Sequence, residues 1–258
     1  MTATNPATST WLRSYHPAPQ ARHRLVCFPH AGGSATFFHP VSARLAPEIE
    51  VLSLQYPGRQ DRRHETAIPD IAGLADRVAA EIGALTGPRP VFFGHSMGAV
   101  LAFEVAHRLE QDDRGPLALV LSGRRAPSTH RVENVHQRDD EGVITELKLL
   151  SGTNAALLGD EEILRMILPA IRSDYRAIET YTCPEDRAVA CPVTVFTGDA
   201  DPRTTLDEAR AWERHTRGTF DLEVFPGGHF YLGDRPAEVT DAIARRVRAA
   251  APAPTAHR

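Results

Sequence analysis

Val91-Phe92-Phe93-Gly94-His95-Ser96-Met97-Gly98-Ala99-Val100-Leu101 is the stretch on which the reading of this chain turns. A short apolar run leads into a serine set between two glycines, and a helical pattern from Ala99 to Leu109 follows at once. That order is a nucleophile elbow: a strand, a tight turn, then a helix. The turn holds the serine in a strained backbone conformation that side chains on either side would obstruct, so Gly94 and Gly98 are needed there. The helix beginning at the turn also aims its first N–H groups, and the positive end of its dipole, at charge forming beside Ser96.

Outward from the elbow the same rhythm repeats. Short apolar runs read as strands at Arg24 to Phe28, Val51 to Leu54, Val91 to Phe93, Leu117 to Leu121, Val193 to Thr197 and Leu222 to Phe225. Helical spacing or composition occupies Phe37 to Leu45, Ile71 to Leu85, Ala99 to Leu109, Leu206 to His215 and Pro236 to Ala250. Strands without a polar face, joined by helical crossovers, predict an α/β fold with a mostly parallel central sheet flanked by helices. The interval of about 124–191 breaks the rhythm. It offers helices at Glu141 to Leu150 and Asp160 to Tyr181 but no strand, which predicts a helical lid inserted over the sheet's C-terminal edge. In the second helix Ile163, Ile167, Ile171 and Tyr175 share a face, suited to packing and to lining an acyl-chain channel, and Pro169 is expected to kink or interrupt it.

A serine hydroxyl needs a base within reach and a third group to orient that base. Gly198-Asp199-Ala200-Asp201-Pro202 follows one predicted strand and Pro226-Gly227-Gly228-His229-Phe230 follows another, on the same edge as the elbow. The chain order serine, acid, histidine is that of an α/β-hydrolase arrangement. His229 is the candidate base. Asp199 and Asp201 compete for the acid. The residue before Pro202 favours an extended backbone that reaches out of the loop, which favours Asp201, whereas Asp199 suits a turn cap. His95 is read as structural and His215, at the end of a helical pattern, as a surface residue. Acyl transfer also needs donors for the developing oxyanion. The small residues of Phe28-Pro29-His30-Ala31-Gly32-Gly33 would let backbone amides approach, so the N–H groups of Ala31 and Met97 are the candidates.

Composition narrows the function classes. With 258 residues and 42% hydrophobic content, one domain is expected, with termini of about 1–10 and 250–258 disordered. The net charge of −4 gives no global basic field, so nucleic acid is not expected as a partner. Neither a signal peptide nor a membrane span is legible, which predicts a cytoplasmic protein. Cys27, Cys183 and Cys191 match neither a disulfide framework nor a zinc ribbon, and Cys27 reads as a small buried hydrophobe.

Five motifs in register resemble the type II thioesterases of polyketide and nonribosomal peptide biosynthesis, from about Leu25 to Leu232: Phe28-Pro29-His30-Ala31-Gly32-Gly33; Tyr56-Pro57-Gly58-Arg59 with Arg62 following; Gly94-His95-Ser96-Met97-Gly98-Ala99; Gly198 to Pro202; and Gly227-Gly228-His229-Phe230. The resemblance implies hydrolysis of acyl thioesters on the phosphopantetheine arm of acyl or peptidyl carrier proteins, with Ser96 as nucleophile, His229 as base, Asp201 as acid and the Ala31 and Met97 amides as oxyanion donors. It implies no metal and no bound cofactor, phosphopantetheine being part of the substrate, and a monomer is expected. Carrier proteins of this kind are acidic, so Arg59, Arg62 and Arg63 after one strand, and Arg124 and Arg125 after another, are candidate docking residues. A general carboxylesterase or an acyltransferase of the same fold would use the same triad, and a catalytically dead binding module is the remaining rival.

Overall fold

The computed structural model describes residues 9–151 and 161–250. One seven-stranded sheet organises them: β1 (Leu12–Arg13), β2 (His23–Phe28), β3 (Ile49–Leu54), β4 (Pro90–His95), β5 (Leu119–Ser122), β6 (Val193–Gly198) and β7 (Phe220–Phe225), in the order β1-β3-β2-β4-β5-β6-β7. The ladders from β3 to β7 are parallel, and β1 adds an antiparallel edge through Leu12 opposite Leu54. The crossover segments hold α1 (His39–Leu45), α2 (Ile71–Gly83), α3 (Met97–Glu110), α4 (Asp140–Ser151), α5 (Glu161–Glu179) and α6 (Leu206–Arg210), and the chain closes with α7 (Tyr231–Asp234) and α8 (Pro236–Ala250). This is the expected α/β-hydrolase architecture. β1, at two residues, was too short for any periodic signal.

The strands alternate as pleated backbone requires. Val26, Phe28 and Phe92 enter a layer with Leu74 and Val78 of α2 and Val100 and Phe103 of α3. Leu25, Cys27, Val91 and Phe93 point the other way, into a layer with Leu45 of α1 and Val239, Ile243 and Val247 of α8. Both faces are therefore covered, which is why these strands carry no polar face.

From β2 the chain builds β3 on one side, then crosses back to place β4 on the other side of β2. Loops leaving the C-terminal ends of β2 and β4 consequently part there and open a crevice, the usual ligand position in open α/β sheets. Above this edge lies the helical interval. It holds a 3-10 turn at Val135–Gln137 and then α4 and α5, which share a small apolar cluster of Val135, Val143, Leu168 and Ile171. No strand of the sheet lies within it among the described residues. α5 runs through Pro169 without the interruption that was one of the two outcomes expected there. Leu164, Leu168, Ile171 and Ile178 are buried on either side of the proline, and that packing holds the helix together across the one backbone bond the proline removes. The termini expected to be disordered fall almost wholly outside the described residues, as do Asp160 and the side chain of Ile163.

Candidate active site

Steric contact, more than propensity, shapes the elbow. Ser96 sits at φ 56° and ψ −116°, a conformation that costs a non-glycine residue on the order of 1–3 kcal/mol. Its N–H donates to the Ser122 carbonyl at 2.8 Å, which ties the turn to β5. A Cβ on Gly94 would stand 2.2 Å from the Gly98 carbonyl oxygen, and one on Gly98 would stand 2.1 Å from that of Phe28. Gly94 is thus required because the first turn of α3 folds back on the end of β4, and Gly98 because that same turn lies directly on the end of β2.

At this edge three distant side chains meet. Ser96 Oγ lies 3.1 Å from His229 Nε2, and His229 Nδ1 lies 2.9 Å from Asp201 Oδ2 and 3.1 Å from Oδ1. His229 and Asp201 are both buried. Asp201 also accepts the Arg203 N–H on Oδ1 at 2.8 Å. Asp199 faces elsewhere: its Oδ1 accepts the Gly227 N–H at 2.9 Å and so pins the start of the loop that carries His229. The turn cap and the contact with His229 therefore fall to different aspartates.

The loop after β2 holds the first candidate oxyanion amide. Gly33 N–H donates to the His30 carbonyl and Gly32 N–H to Asp174 Oδ2, while Ala31 N–H has no acceptor among the described residues. Met97 opens α3, so its N–H has no intrahelical acceptor either. His95 is wholly buried, with Nδ1 2.9 Å from Ser122 Oγ, which lies 2.6 Å from the Tyr231 hydroxyl. Burial, reinforced by His229 and His30, holds His95 well below the usual imidazole range. His30 is pushed down to about 3 by burial and by the charges of His229 and Arg59. Both rings are neutral at working pH. His215 is a correction: it is fully buried, not on the surface, between Ser128 Oγ and the Arg187 carbonyl, each at 2.7 Å. The 3-10 turn after α6 swings Trp212 and His215 inward together against Phe103.

A cavity of about 210 Å³ opens over Ser96 and His229. Lid side chains Leu147, Ile167, Ile171 and Tyr175 form its apolar wall. At one side stands Arg124; the nearest acid to it among the described residues, Glu133, is 3.9 Å away and already bonded by Arg125 and Arg203. Burial, with repulsion from Arg125 and Arg203, pushes the Arg124 guanidinium down to about 10. Burial raises all three thiols: Cys27 and Cys183 shift upward and Cys191 reaches about 12, aided by Glu110. Among the described residues no group of three or more His, Cys, Asp or Glu side chains is placed to hold a metal ion, and no helix is long and apolar enough to cross a membrane.

The docking arginines need correction. Arg59 is buried and forked onto Asp174; Arg62 is buried over the Trp11 ring, with its guanidinium on Glu65 and the Gln55 carbonyl; Arg125 is buried on Glu133. Guanidiniums satisfied inside the protein offer no charge to a partner surface. Arg124 faces the cavity, and only Arg63 of the five is exposed. The sequence reading also missed Asp174. Its signal was a carboxylate standing on the otherwise apolar stripe of Ile167, Ile171, Tyr175 and Ile178.

A family model described as Thioesterase domain matches residues 23–250. A probable cadicidin biosynthesis thioesterase of Streptomyces griseus is 57% identical over 99% of this chain and 71% of its own length. Thioesterase PikA5 of Streptomyces venezuelae is 46% identical over 98% of this chain and 90% of its own. Among solved structures, the type II thioesterase BorB from the borrelidin biosynthetic cluster superposes with a TM-score of 0.87 at 48% identity, covering 96% of this chain and all of that one. YbtT, a type II thioesterase from the yersiniabactin pathway, gives 0.84 at 28% identity, covering 93% of this chain and 99% of its own.

Proposed function

This chain belongs to the thioesterase family, as a type II thioesterase of polyketide and nonribosomal peptide pathways, and from that premise we propose that it removes acyl groups from the phosphopantetheine arm of carrier proteins through a Ser96-His229-Asp201 triad. The observation that carries the reading is the continuous line Asp201–His229–Ser96, with both contacts at hydrogen-bond distance, beneath an apolar lid cavity. His229 takes the Ser96 proton as Oγ attacks the thioester carbonyl, and the tetrahedral oxyanion rests on the Ala31 and Met97 amides. Collapse expels the pantetheine thiol, which receives the proton from His229. Water, deprotonated by the same imidazole, then attacks the acyl-serine and releases the acid. Each participant in this route is a side chain, an amide or water, so the route uses no metal or bound cofactor, and phosphopantetheine enters as substrate. The lid wall suits an acyl chain, while Arg124 offers donors to an oxygen carried on that chain. A cytoplasmic location and an acidic carrier protein as partner complete the reading.

The test pairs labelling with turnover. A fluorophosphonate should modify wild-type protein at Ser96 and leave Ser96→Ala unmodified. Matched acyl groups on carrier protein, on free pantetheine and as oxygen esters should be hydrolysed in that order of kcat/KM. Absence of labelling would remove Ser96 as nucleophile. Oxygen esters turned over as fast as thioesters would make the chain a general esterase, and an ester or amide product formed with an added alcohol or amine would make it an acyltransferase.

A further inference from the structure

The Tyr56-Pro57-Gly58-Arg59 motif has no part in the chemistry above, yet the structure wraps it around the loop that carries the Ala31 amide. Tyr56 donates its hydroxyl to the Pro29 carbonyl at 3.3 Å, and Gln55 Oε1 accepts the Ala35 N–H at 2.9 Å. Arg59 NH1 donates to the Gly33 carbonyl at 2.9 Å. The same guanidinium forks onto Asp174, with NH1 2.7 Å from Oδ2 and NH2 2.8 Å from Oδ1. Asp174 Oδ2 in turn accepts the Gly32 N–H at 2.7 Å. Asp174 lies on the lid helix α5, where it is 1% exposed, and one turn earlier Ile171 covers Gly32 so closely that a Cβ there would stand 2.7 Å from its Cγ1.

We propose that Asp174 and Arg59 are positioning residues that set the direction of the Ala31 amide and lock the lid to the oxyanion loop. The proposal rests on the reading of Ala31 as an oxyanion donor. Gly32 N–H belongs to the peptide unit next to the one that carries the Ala31 N–H, and Gly32 sits at φ +74°, where its backbone is freer to wander than that of other residues. A carboxylate gripping that N–H, held in turn by a two-bond guanidinium fork, removes the freedom on one side, and Arg59 on the Gly33 carbonyl removes it on the other. Stability alone does not require such a pair. A buried ion pair is commonly replaceable by apolar side chains without loss, whereas an apolar side chain cannot accept the Gly32 N–H. Because Asp174 rides on α5, a lid displaced from the sheet edge also releases the amide, so a productive oxyanion hole exists only with the lid seated.

The test separates acceptor from charge with two double variants, each free of an unpaired buried charge. Arg59→Met with Asp174→Asn keeps an acceptor for the Gly32 N–H; Arg59→Met with Asp174→Leu does not. Both are assayed on an acyl pantetheine thioester at a temperature where circular dichroism shows them folded, with kcat normalised to fluorophosphonate-reactive Ser96. A positioning role predicts kcat at least about tenfold lower in the Leu double variant than in the Asn one, with KM matched within about threefold, since losing one oxyanion donor outright costs about 10²–10³. Equal kcat in the two variants would reduce the pair to a structural element and overturn the proposal. An unlabelled, inactive wild-type protein would overturn it together with the triad on which it depends.

Discussion

Replacing Asp201 by Asn probes the proposed triad more sharply than deleting any member, because the structure dictates which way the amide must face. Asp201 Oδ1 accepts the Arg203 N–H at 2.8 Å, so the asparagine carbonyl is pinned at that position. Its NH2 then falls where Oδ2 stood, 2.9 Å from His229 Nδ1. A donor there forces Nδ1 to become the acceptor and places the ring proton on Nε2, 3.1 Å from Ser96 Oγ. In that tautomer the imidazole cannot take the serine proton. The expected loss is on the order of 10⁴ in kcat, about 5.5 kcal/mol, with the fold intact and KM little changed. Asp199→Asn is the matched control: its carbonyl still accepts the Gly227 N–H, so its loss should stay below about tenfold. Both are measured by release of free thiol from an acyl pantetheine thioester under single-turnover conditions, with thermal melts alongside. Should Asp201→Asn retain more than about a tenth of wild-type kcat, or Asp199→Asn prove the more damaging, the assignment of the orienting acid is wrong.

Gly98→Ala should cost about a hundredfold in kcat and lower the melting temperature, since its Cβ, 2.1 Å from the Phe28 carbonyl oxygen, must push the first turn of α3 and the Met97 amide off the edge of β2; near-normal kinetics would show that the contact relaxes without moving the amide. Acid should destabilise the protein through His95 and His30, which the fold keeps neutral while the unfolded chain protonates them below about pH 6.5. Stability present above that pH is lost as pH falls, by about 1.4 kcal/mol at pH 5.5 for His30, with His95 acting in the same direction; urea midpoints at pH 7.5 and 5.5 read the effect, and His30→Gln should shrink the difference. Arg124→Met should raise thermal stability by on the order of 1–3 kcal/mol, because the fold disfavours that charge and pushes the guanidinium down to about 10. The same variant should slow hydrolysis of 3-oxo and 3-hydroxy acyl thioesters relative to plain alkyl ones of equal length; a destabilised variant with unchanged selectivity would show that Arg124 serves only the fold.

Local backbone geometry was legible in the chain from the start. Gly94-x-Ser96-x-Gly98 marks a turn that admits no Cβ on either side, and the apolar runs of β2, β4 and β6 follow from burial on both faces of a parallel sheet. Charged residues misled where burial was at issue. Arg59, Arg62 and Arg125 looked like a basic surface because their acids lie far along the chain or in an irregular loop, and His215 looked exposed because its turn is a 3-10 segment with no amphipathic period.

The chain by itself determined the α/β class, the elbow, the order of serine, acid and histidine, and the edge on which they meet, because each depends on spacing within a few residues or on the sense of parallel strands. Tertiary structure decided which aspartate faces His229, which arginines are spent inside the protein, and that a lid carboxylate grips the loop beneath it. Arg59 and Asp174 are 115 residues apart in sequence. Their pairing is the product of two crossovers and a lid helix packed face to face, and no periodicity along the chain can encode a contact whose geometry is set only when those elements close together.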